Sequence, residues 1–211
     1  MVREAGFMNE DQDAGESMKS PEKEPIQTEW VVITGGPSSG KTSVINRLKE
    51  LGYKTVPEAA EELIEEERAK GKKTEDIRVS EEEFTKLVFY KKLEKETRLS
   101  AGSLTFLDRG LPDTIAYGQA DKYDISYALN DPRLNVNKYK KVFLLDLVPF
   151  EQTEIRIEDK AFAERVDQEL SDAYKSLGYD VVRVPALPGA TLKEKVDTRT
   201  QFLLQSLQLT S

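Results

Sequence analysis

A glycine-rich octet between an apolar run and a helical pattern constrains the fold of this chain more than any other feature. The octet is Gly35-Gly36-Pro37-Ser38-Ser39-Gly40-Lys41-Thr42. It directly follows a buried strand predicted at Trp30–Thr34 and leads into a helix predicted from Gly40 to Leu51. It fits the pattern G-x-x-x-x-G-K-[ST] in the strand–loop–helix context that this pattern requires. Such a strand, running through a loop into a helix, is typical of a parallel sheet covered by helices.

The residue types of the octet predict that the loop binds a nucleoside triphosphate, ATP or GTP. Gly35 and Gly40 allow backbone conformations in which several N–H groups point at one phosphate. The N-terminus of the following helix adds a partial positive charge. We expect Lys41 to reach the β- and γ-phosphates and the Thr42 hydroxyl to bind Mg²⁺. The predicted nucleotide-binding residues are Gly35, Gly36, Pro37, Ser38, Ser39, Gly40, Lys41, Thr42 and Ser43.

Short apolar runs and helical patterns alternate along the rest of the chain. Further strands are predicted around Thr55-Val56 and at Leu104–Leu107, Val142–Leu145 and Val181–Val184. Longer segments between them have helical spacing. Because strands alternate with helices and crossovers are right-handed, the predicted fold class is α/β, with three layers around a five-stranded parallel sheet.

For three of the predicted helices, the sequence indicates either the first residue or the buried face. One starts at Ser80, where Glu83 completes a capping box, and its predicted inner face is Phe84, Leu87 and Val88. A second shows apolar residues every four positions, at Phe162, Val166 and Leu170. The last helix begins at Thr191 with Glu194.

Histidine and cysteine are absent from the 211 residues, which excludes several classes of active site. No Ser-His-Asp triad, histidine base, thiolate nucleophile or imidazole metal site can form. Acid–base chemistry must therefore use carboxylates, Lys or Tyr. The chain has 31 Lys and Arg against 39 Asp and Glu, a net charge of -8, and this acidic balance argues against binding to nucleic acid.

The beginning of the chain differs in composition from the rest. Residues 1–28 hold few apolar side chains, so we expect a disordered acidic tail, followed by one domain over residues 29–211. The tail is either a segment that binds a protein partner or an extension without such a role. No apolar run approaches the roughly 18–20 residues that a membrane span needs, and we expect a cytoplasmic protein.

Polar residues at the carboxyl ends of the predicted strands are the candidate catalytic groups, because ligands of open α/β sheets bind there. Asp108 is expected to join Thr42 in the Mg²⁺ site, with Arg109 beside it as a phosphate contact. The alternative for Asp108 is a turn or cap residue. Glu58 is the candidate base for an acceptor hydroxyl. Its alternative is an ordinary glutamate in the first turn of a helix.

The charged segment from Phe150 to Arg165 lies between the last two predicted strands. We expect it to form a lid, in which Arg156 stabilises the transferring phosphoryl group. The alternative for Arg156 and Arg165 is a solvated helix face. The glutamates between Glu58 and Lys70 are also expected to form a solvated face rather than a metal site.

Three stretches together resemble a family of small AAA-type P-loop ATPases and kinases. They are the octet, Val56-Pro57-Glu58-Ala59-Ala60, and Asp108-Arg109-Gly110-Leu111-Pro112-Asp113. That family includes the nicotinamide-riboside-kinase domain of NadR and the insect TRP-channel translocation-defective protein, and the chain is more distantly similar to deoxynucleoside kinases. The resemblance covers about Trp30 to Leu207. It implies a kinase-like fold with a helical lid, Glu58 as base, Asp108 in the magnesium shell, Arg109 on a phosphate and Arg156 on the lid.

The leading prediction is a Mg²⁺-dependent kinase that transfers the γ-phosphate of ATP to a hydroxyl of a small, nucleoside-like metabolite. Its predicted catalytic residues are Lys41, Glu58, Asp108, Arg109 and Arg156. Relatives often carry a basic residue where this chain has Glu61 and Glu62, which argues against an anionic second substrate at that point. The second prediction is a nucleotide-dependent switch that acts through a protein partner.

Overall fold

The octet follows the central strand of a parallel sheet. The computed structural model describes residues 24–78, 80–148, 157–189 and 191–209. Its strands are β1 (Ile26–Gln27), β2 (Trp30–Thr34), β3 (Thr55–Val56), β4 (Thr105–Asp108), β5 (Asn137–Lys138), β6 (Lys141–Leu145) and β7 (Val181–Val184). Five of them form the main sheet in the order β3-β4-β2-β6-β7, with every neighbouring pair parallel. The predicted five-stranded parallel sheet is confirmed.

The helices connect these strands and cover both faces of the sheet. They are α1 (Lys41–Glu50), α2 (Ala59–Ala69), α3 (Thr74–Ile77), α4 (Glu81–Thr97), α5 (Pro112–Asp121), α6 (Ser126–Leu129), α7 (Ile157–Ser176) and α8 (Leu192–Ser206). A short 3₁₀ helix spans Pro132–Asn135. From β2 the chain passes to β3 and returns to β4 on one side, and it then crosses β2 to form β6 and β7 on the other side. The crevice beyond the carboxyl ends of β2 and β4 is therefore the expected ligand site.

Alternate residues of β2 enter two separate hydrophobic cores, as the two-residue period of a strand requires. Trp30 and Val32 join the core under α4, α5 and α7, whereas Val31 and Ile33 join the core under α1 and α8. Every residue of β2 is buried. This burial on both faces explains why the strand has a continuous apolar sequence rather than an alternating one.

A short strand, β1, lies before the predicted domain boundary at residue 28. Ile26 and Gln27 pair in parallel with β5, and the Ile26 N–H donates to the Val136 carbonyl at 2.7 Å. Thr28 is buried, and its hydroxyl donates to the Lys138 carbonyl at 2.9 Å. Two backbone pairs are enough to order a segment whose composition gives no strand signal, so the predicted tail ends too late. Its residues 1–23 lie outside the described residues.

The inner face of α4 differs from the predicted one. Leu87 is 52% exposed, whereas Phe84 and Val88 are buried as predicted. The buried stripe continues through two charged residues, Lys92 and Glu96. Periodicity of apolar residues missed these two positions because buried charges interrupt it. At the start of the helix, the Ser80 hydroxyl accepts from the Glu83 N–H at 3.3 Å.

The predicted lid falls partly outside the described residues, and Arg156 lies in that part. Positions 157–165 form the first turns of α7, in which Val166 and Leu170 are buried as predicted. The capping box of Thr191 and Glu194 is present at the start of α8. Among the described helices, none has the length and apolar character of a membrane span.

The buried carboxyl of Glu96 should make stability depend on pH. Burial raises its pKa to about 7, although the Tyr139 hydroxyl donates to it at 2.6 Å. The folded state therefore keeps a proton that the unfolded chain releases above about pH 4.5, so stability falls as pH rises between about 4.5 and 7. We expect Glu96→Gln to remove up to about 3 kcal/mol of this loss.

The measurement is urea unfolding of wild type and Glu96→Gln at pH 5 and pH 8. Comparing the two proteins at each pH cancels the contributions of the other titrating groups. We expect the free energy of unfolding of Glu96→Gln, minus that of wild type, to be larger at pH 8 than at pH 5. The same difference at both pH values would contradict a protonated Glu96.

Candidate active site

The octet forms a tight loop between β2 and α1. A Cβ atom on Gly35 would lie 2.6 Å from the Ser39 hydroxyl and 2.8 Å from the Leu145 carbonyl, so only glycine fits there. Gly40 has a φ of 81°, and Ser38 also lies in the left-handed region, with a φ of 60°. The predicted conformational role of Gly40 is therefore present, and Ser38 adds a turn that the sequence does not reveal.

Lys41 is buried directly beneath this loop. Its ammonium group donates to the Gly36 carbonyl at 3.4 Å. Burial lowers the pKa of Lys41 to about 8, and the nearby Arg109 guanidinium acts in the same direction. Thr42 is exposed and Ser43 is partly exposed, so two hydroxyl residues in the first turn of α1 are open to a ligand.

Arg199 of α8 fixes the loop from the other side, a role that sequence analysis did not predict. Its guanidinium donates to the Ser39 carbonyl at 2.5 Å, to the Asp146 carbonyl at 2.8 Å and to the Pro185 carbonyl at 2.9 Å. These three backbone segments come from distant parts of the chain. A single arginine in an otherwise ordinary amphipathic helix gives no sequence signal of such a contact.

Asp108 ends β4 beside the loop. It is buried, and its Oδ1 atom has no hydrogen-bond partner among the described residues. Burial raises the pKa of Asp108 to about 6, and the nearby Glu58 carboxylate acts in the same direction. A buried carboxylate oxygen without a partner is uncommon and costly unless a ligand satisfies it.

Arg109 connects the octet to Glu58, which lies just after β3. Its Nε donates to Glu58 at 2.8 Å, and its Nη1 donates to the Gly35 carbonyl at 3.3 Å. The residue has a φ of 68°, a backbone conformation that is unusual for residues other than glycine. The structure thus brings Glu58, Arg109 and the octet together at one edge of the sheet, as their positions in the sequence suggested.

Asp113 bonds to Arg109 and to the backbone of Gly110, and sequence analysis missed it as a site residue. It accepts from the Thr34 hydroxyl at 2.6 Å, the Tyr174 hydroxyl at 2.5 Å, the Gly110 N–H at 3.0 Å and Arg109 Nη1 at 3.1 Å. Burial by itself would raise the pKa of Asp113. The charges of Lys92 and Arg109, together with the two hydroxyls, outweigh burial and keep the pKa below its ordinary value.

Lys92 is another buried cation beside the site. Its ammonium group donates to the Gly110 carbonyl at 2.9 Å, and burial lowers its pKa. Gly110 itself has no room for a side chain, because a Cβ there would lie 2.7 Å from the Tyr174 hydroxyl. The sequence signal for Lys92 would have been a lysine at the inner spacing of α4, after Phe84 and Val88.

Two cavities flank the loop. One, of about 300 Å³, lies between α1 and α8, with Gly40, Val44, Leu187, Pro188 and Val196 in its walls. The other, of about 400 Å³, lies between α2, α4 and α5, with Pro37, Glu58 and Arg109 in its walls. The octet therefore separates a largely apolar cavity from one that Glu58 faces.

The hydroxyl of Tyr174 should be important for the stability of the site. In Tyr174→Phe, the buried Asp113 carboxylate loses one donor and the Gly110 N–H loses an acceptor at 3.1 Å. We expect a loss of about 1–3 kcal/mol in the free energy of unfolding, measured by urea denaturation. The matched control is Tyr179→Phe, whose hydroxyl bonds backbone groups, with the Asn137 carbonyl at 3.3 Å, and no carboxylate among the described residues. Equal losses in both variants would contradict the special role of Tyr174.

The comparisons with known proteins agree with this geometry. A family model described as "AAA domain" matches residues 30–194. A thymidylate kinase from Ehrlichia chaffeensis has a similar structure, with a TM-score of 0.60 at 17% identity over 87% of this chain and 100% of that chain. A deoxyadenosine kinase from M. mycoides with bound dCTP has a TM-score of 0.59 at 16% identity over 86% of this chain and 100% of that chain.

NadR protein in complex with NR is also similar in structure, with a TM-score of 0.59 at 15% identity. The match covers 84% of this chain and 50% of NadR, so the chain spans about half the length of that protein. No curated protein matches the chain in sequence. At these identities the likeness shows the fold, and the resemblance to the insect protein stays a prediction. The chain belongs to the AAA-domain family and has the fold of the P-loop kinases.

Proposed function

We propose that this protein is a Mg²⁺-dependent kinase that transfers the γ-phosphate of ATP, or of GTP, to a hydroxyl of a small nucleoside-like metabolite. The observation that carries the proposal is the position of Glu58. Its carboxylate is bonded to Arg109, which is bonded in turn to the Gly35 carbonyl of the octet, and Glu58 faces the cavity of about 400 Å³. A candidate base thus lies between a triphosphate loop and a space large enough for a small acceptor.

The nucleotide would lie along the octet, with its phosphates at the N-terminus of α1. The backbone N–H groups of the loop, together with Lys41, would hold the β- and γ-phosphates. Its base would enter the cavity between α1 and α8, where Leu187, Pro188 and Val196 offer apolar contacts. Apolar walls of this kind suit either purine, so the donor is ATP or GTP.

The residues beside the octet fit a magnesium ion. Asp108 Oδ1 is a buried oxygen without a partner among the described residues, and Thr42 offers an exposed hydroxyl. A magnesium ion at such a site takes most of its ligands from water and from the phosphates of the substrate. Bound through Thr42 and Asp108, the ion would supply charge neutralisation at the phosphates.

The reaction would need one proton acceptor and several positive charges. The acceptor oxygen forms a bond to the γ-phosphorus, the bond from that phosphorus to the β,γ-bridging oxygen breaks, and the nucleoside diphosphate leaves. The acceptor proton passes to Glu58. Lys41 and Arg109 stabilise the charge on the transferring group, and Arg156 of the predicted lid adds to them.

Exchanging Glu58 for glutamine should separate catalysis from nucleotide binding. Glu58→Gln removes the base but keeps the size of the side chain, so we expect kcat to fall at least about 100-fold while nucleotide affinity changes by less than about threefold. The assay follows ATP and GTP turnover with and without a panel of nucleosides and vitamins. Glu65→Gln is the control, because Glu65 is exposed on the same helix and should leave turnover unchanged.

Two results would overturn the kinase. Unchanged turnover in Glu58→Gln would remove this carboxylate from the mechanism. Tight nucleotide binding with slow turnover that no acceptor stimulates would favour the nucleotide-dependent switch.

Exchanging Asp108 for asparagine should reduce the effect of Mg²⁺ on nucleotide binding. In wild type we expect Mg²⁺ to tighten the binding of a non-hydrolysable ATP analogue, measured by calorimetry. In Asp108→Asn this gain should fall at least about tenfold. The control is Asp146→Asn directly after β6, on the far side of β2 from β4, where the carboxylate accepts from Arg183 at 3.1 Å. The same Mg²⁺ gain in wild type and Asp108→Asn would contradict the assignment.

A further inference from the structure

The backbone directly after Arg109 is bonded to buried side chains from other parts of the fold. The Gly110 carbonyl accepts from the Lys92 ammonium group at 2.9 Å, and the Leu111 N–H donates to the Tyr139 hydroxyl at 3.0 Å. Arg109 itself lies in the left-handed region, a conformation that persists only where the surroundings hold it. The side chains that hold Gly110 and Leu111 therefore help to place the Arg109 guanidinium.

Glu96 of α4 stands behind both of these contacts. The Tyr139 hydroxyl that accepts from Leu111 donates in turn to Glu96 Oε1 at 2.6 Å. Lys92 lies one turn earlier on α4, and its charge acts on the Glu96 carboxyl. Glu96, Tyr139 and Lys92 are all buried, so water competes little for these bonds. One carboxyl thus influences two of the groups that fix the residues after Arg109.

The same segment continues to the octet and to the candidate base. Arg109 Nε donates to Glu58 at 2.8 Å, and its Nη1 donates to the Gly35 carbonyl at 3.3 Å. Hydrogen bonds and two peptide units connect, in order, Glu96, Tyr139, Leu111, Gly110, Arg109 and Glu58. A change at Glu96 therefore reaches the site through other residues rather than by contact with a substrate.

The charge of Glu96 can change near neutral pH. Burial raises its pKa to about 7, although hydrogen bonds and the charge of Lys92 oppose that shift. The charged and titratable groups around it are Lys92 and Lys95 on α4, Asp108 and Arg109 across a small cavity, and Tyr139 and Tyr179. Lys95 is bonded to Glu62 of α2, so Lys92 is the cation that acts on Glu96.

We propose that Glu96 is a positioning residue for phosphoryl transfer, and that its ionised form holds Arg109 in the orientation that the reaction needs. The proposal rests on the kinase function proposed above. Ionised Glu96 accepts a charge-assisted bond from Tyr139, which leaves the Tyr139 oxygen free to accept from Leu111. A protonated carboxyl is itself a donor to that oxygen and competes with the Leu111 N–H. It also no longer attracts Lys92, which holds Gly110.

This role makes turnover and stability depend on pH in opposite directions. Ionisation of Glu96 lowers stability, because the folded state keeps the proton up to about pH 7. Turnover should rise over the same pH range, because the ionised form is the one that places Arg109. A residue that only stabilised the fold would change turnover and stability in the same direction.

The test compares Glu96→Gln with wild type, because glutamine keeps the size of the side chain and stays uncharged at every pH. Turnover of ATP and GTP with the acceptor panel is measured on the full chain at pH 5 and pH 8. We expect similar kcat values at pH 5. At pH 8 wild type should be at least about fivefold faster, with the nucleotide KM changed by less than about twofold. Asp108 and Lys41 titrate in both proteins, so their effects cancel in the ratio.

Two further variants complete the test. Glu94→Gln is the control, because Glu94 is exposed on the same helix and its loss should leave kcat unchanged at both pH values. Tyr139→Phe removes the hydroxyl through which Glu96 acts, so adding Glu96→Gln to it should change kcat by less than about twofold. The proposal is overturned if the kcat ratio of wild type to Glu96→Gln is the same at both pH values. It is also overturned if Glu96→Gln is the faster protein at pH 8, as its greater stability alone would predict.

A spectroscopic measurement separates this proposal from the kinase itself. The Nε–H resonance of Arg109 is followed by NMR from pH 5 to pH 8, and it is identified by the shift that Glu58→Gln causes. We expect a change centred near pH 7 in wild type that Glu96→Gln lacks. That result without turnover of any acceptor would support the control of Arg109 by Glu96 and overturn the kinase. Acceptor-stimulated turnover with the same pH profile in both proteins would support the kinase and overturn the role of Glu96.

Discussion

The buried carboxylate of Asp113 is the interaction on which the site depends. Asp113 lies on α5 and accepts from two hydroxyls, one backbone N–H and one guanidinium, and these donors come from β2, α7 and the loop after β4. Burying a charge is costly unless it is paired and hydrogen-bonded, and both oxygens of Asp113 are bonded. The network therefore fixes Arg109 in its left-handed conformation and holds the end of β4 against the octet.

Arg109 connects the Asp113 network to the octet and to Glu58 after β3. Its guanidinium bonds to Glu58, Asp113 and the Gly35 carbonyl. One side chain therefore connects the end of β3, the segment after β4 and the octet. Arg199 does the equivalent on the other side, where it binds the Ser39 carbonyl. Two arginines thus hold a loop whose glycines give it little rigidity of their own. Preorganisation of this kind lowers the cost of positioning charged groups around a phosphate.

The same balance of charges gives the two sides of the octet different chemistry. Toward α8 the cavity is largely apolar, and toward α2 it is acidic with its cations already bonded. The fold is shared with a thymidylate kinase and a deoxyadenosine kinase. A shared fold does not determine the substrate, which depends on the side chains that line the site.

The sequence by itself determined the layered parallel sheet, the octet and the strand-end residues Glu58, Asp108 and Arg109, because these depend on local spacing and composition. It missed β1, which two backbone pairs hold against β5, and it misplaced the inner face of α4, where two buried charges interrupt the apolar periodicity. Only the tertiary structure decided that Asp113, Lys92, Tyr174 and Arg199 support the site. Their partners are distant along the chain, and a buried charge is stable only where the fold supplies all of its partners.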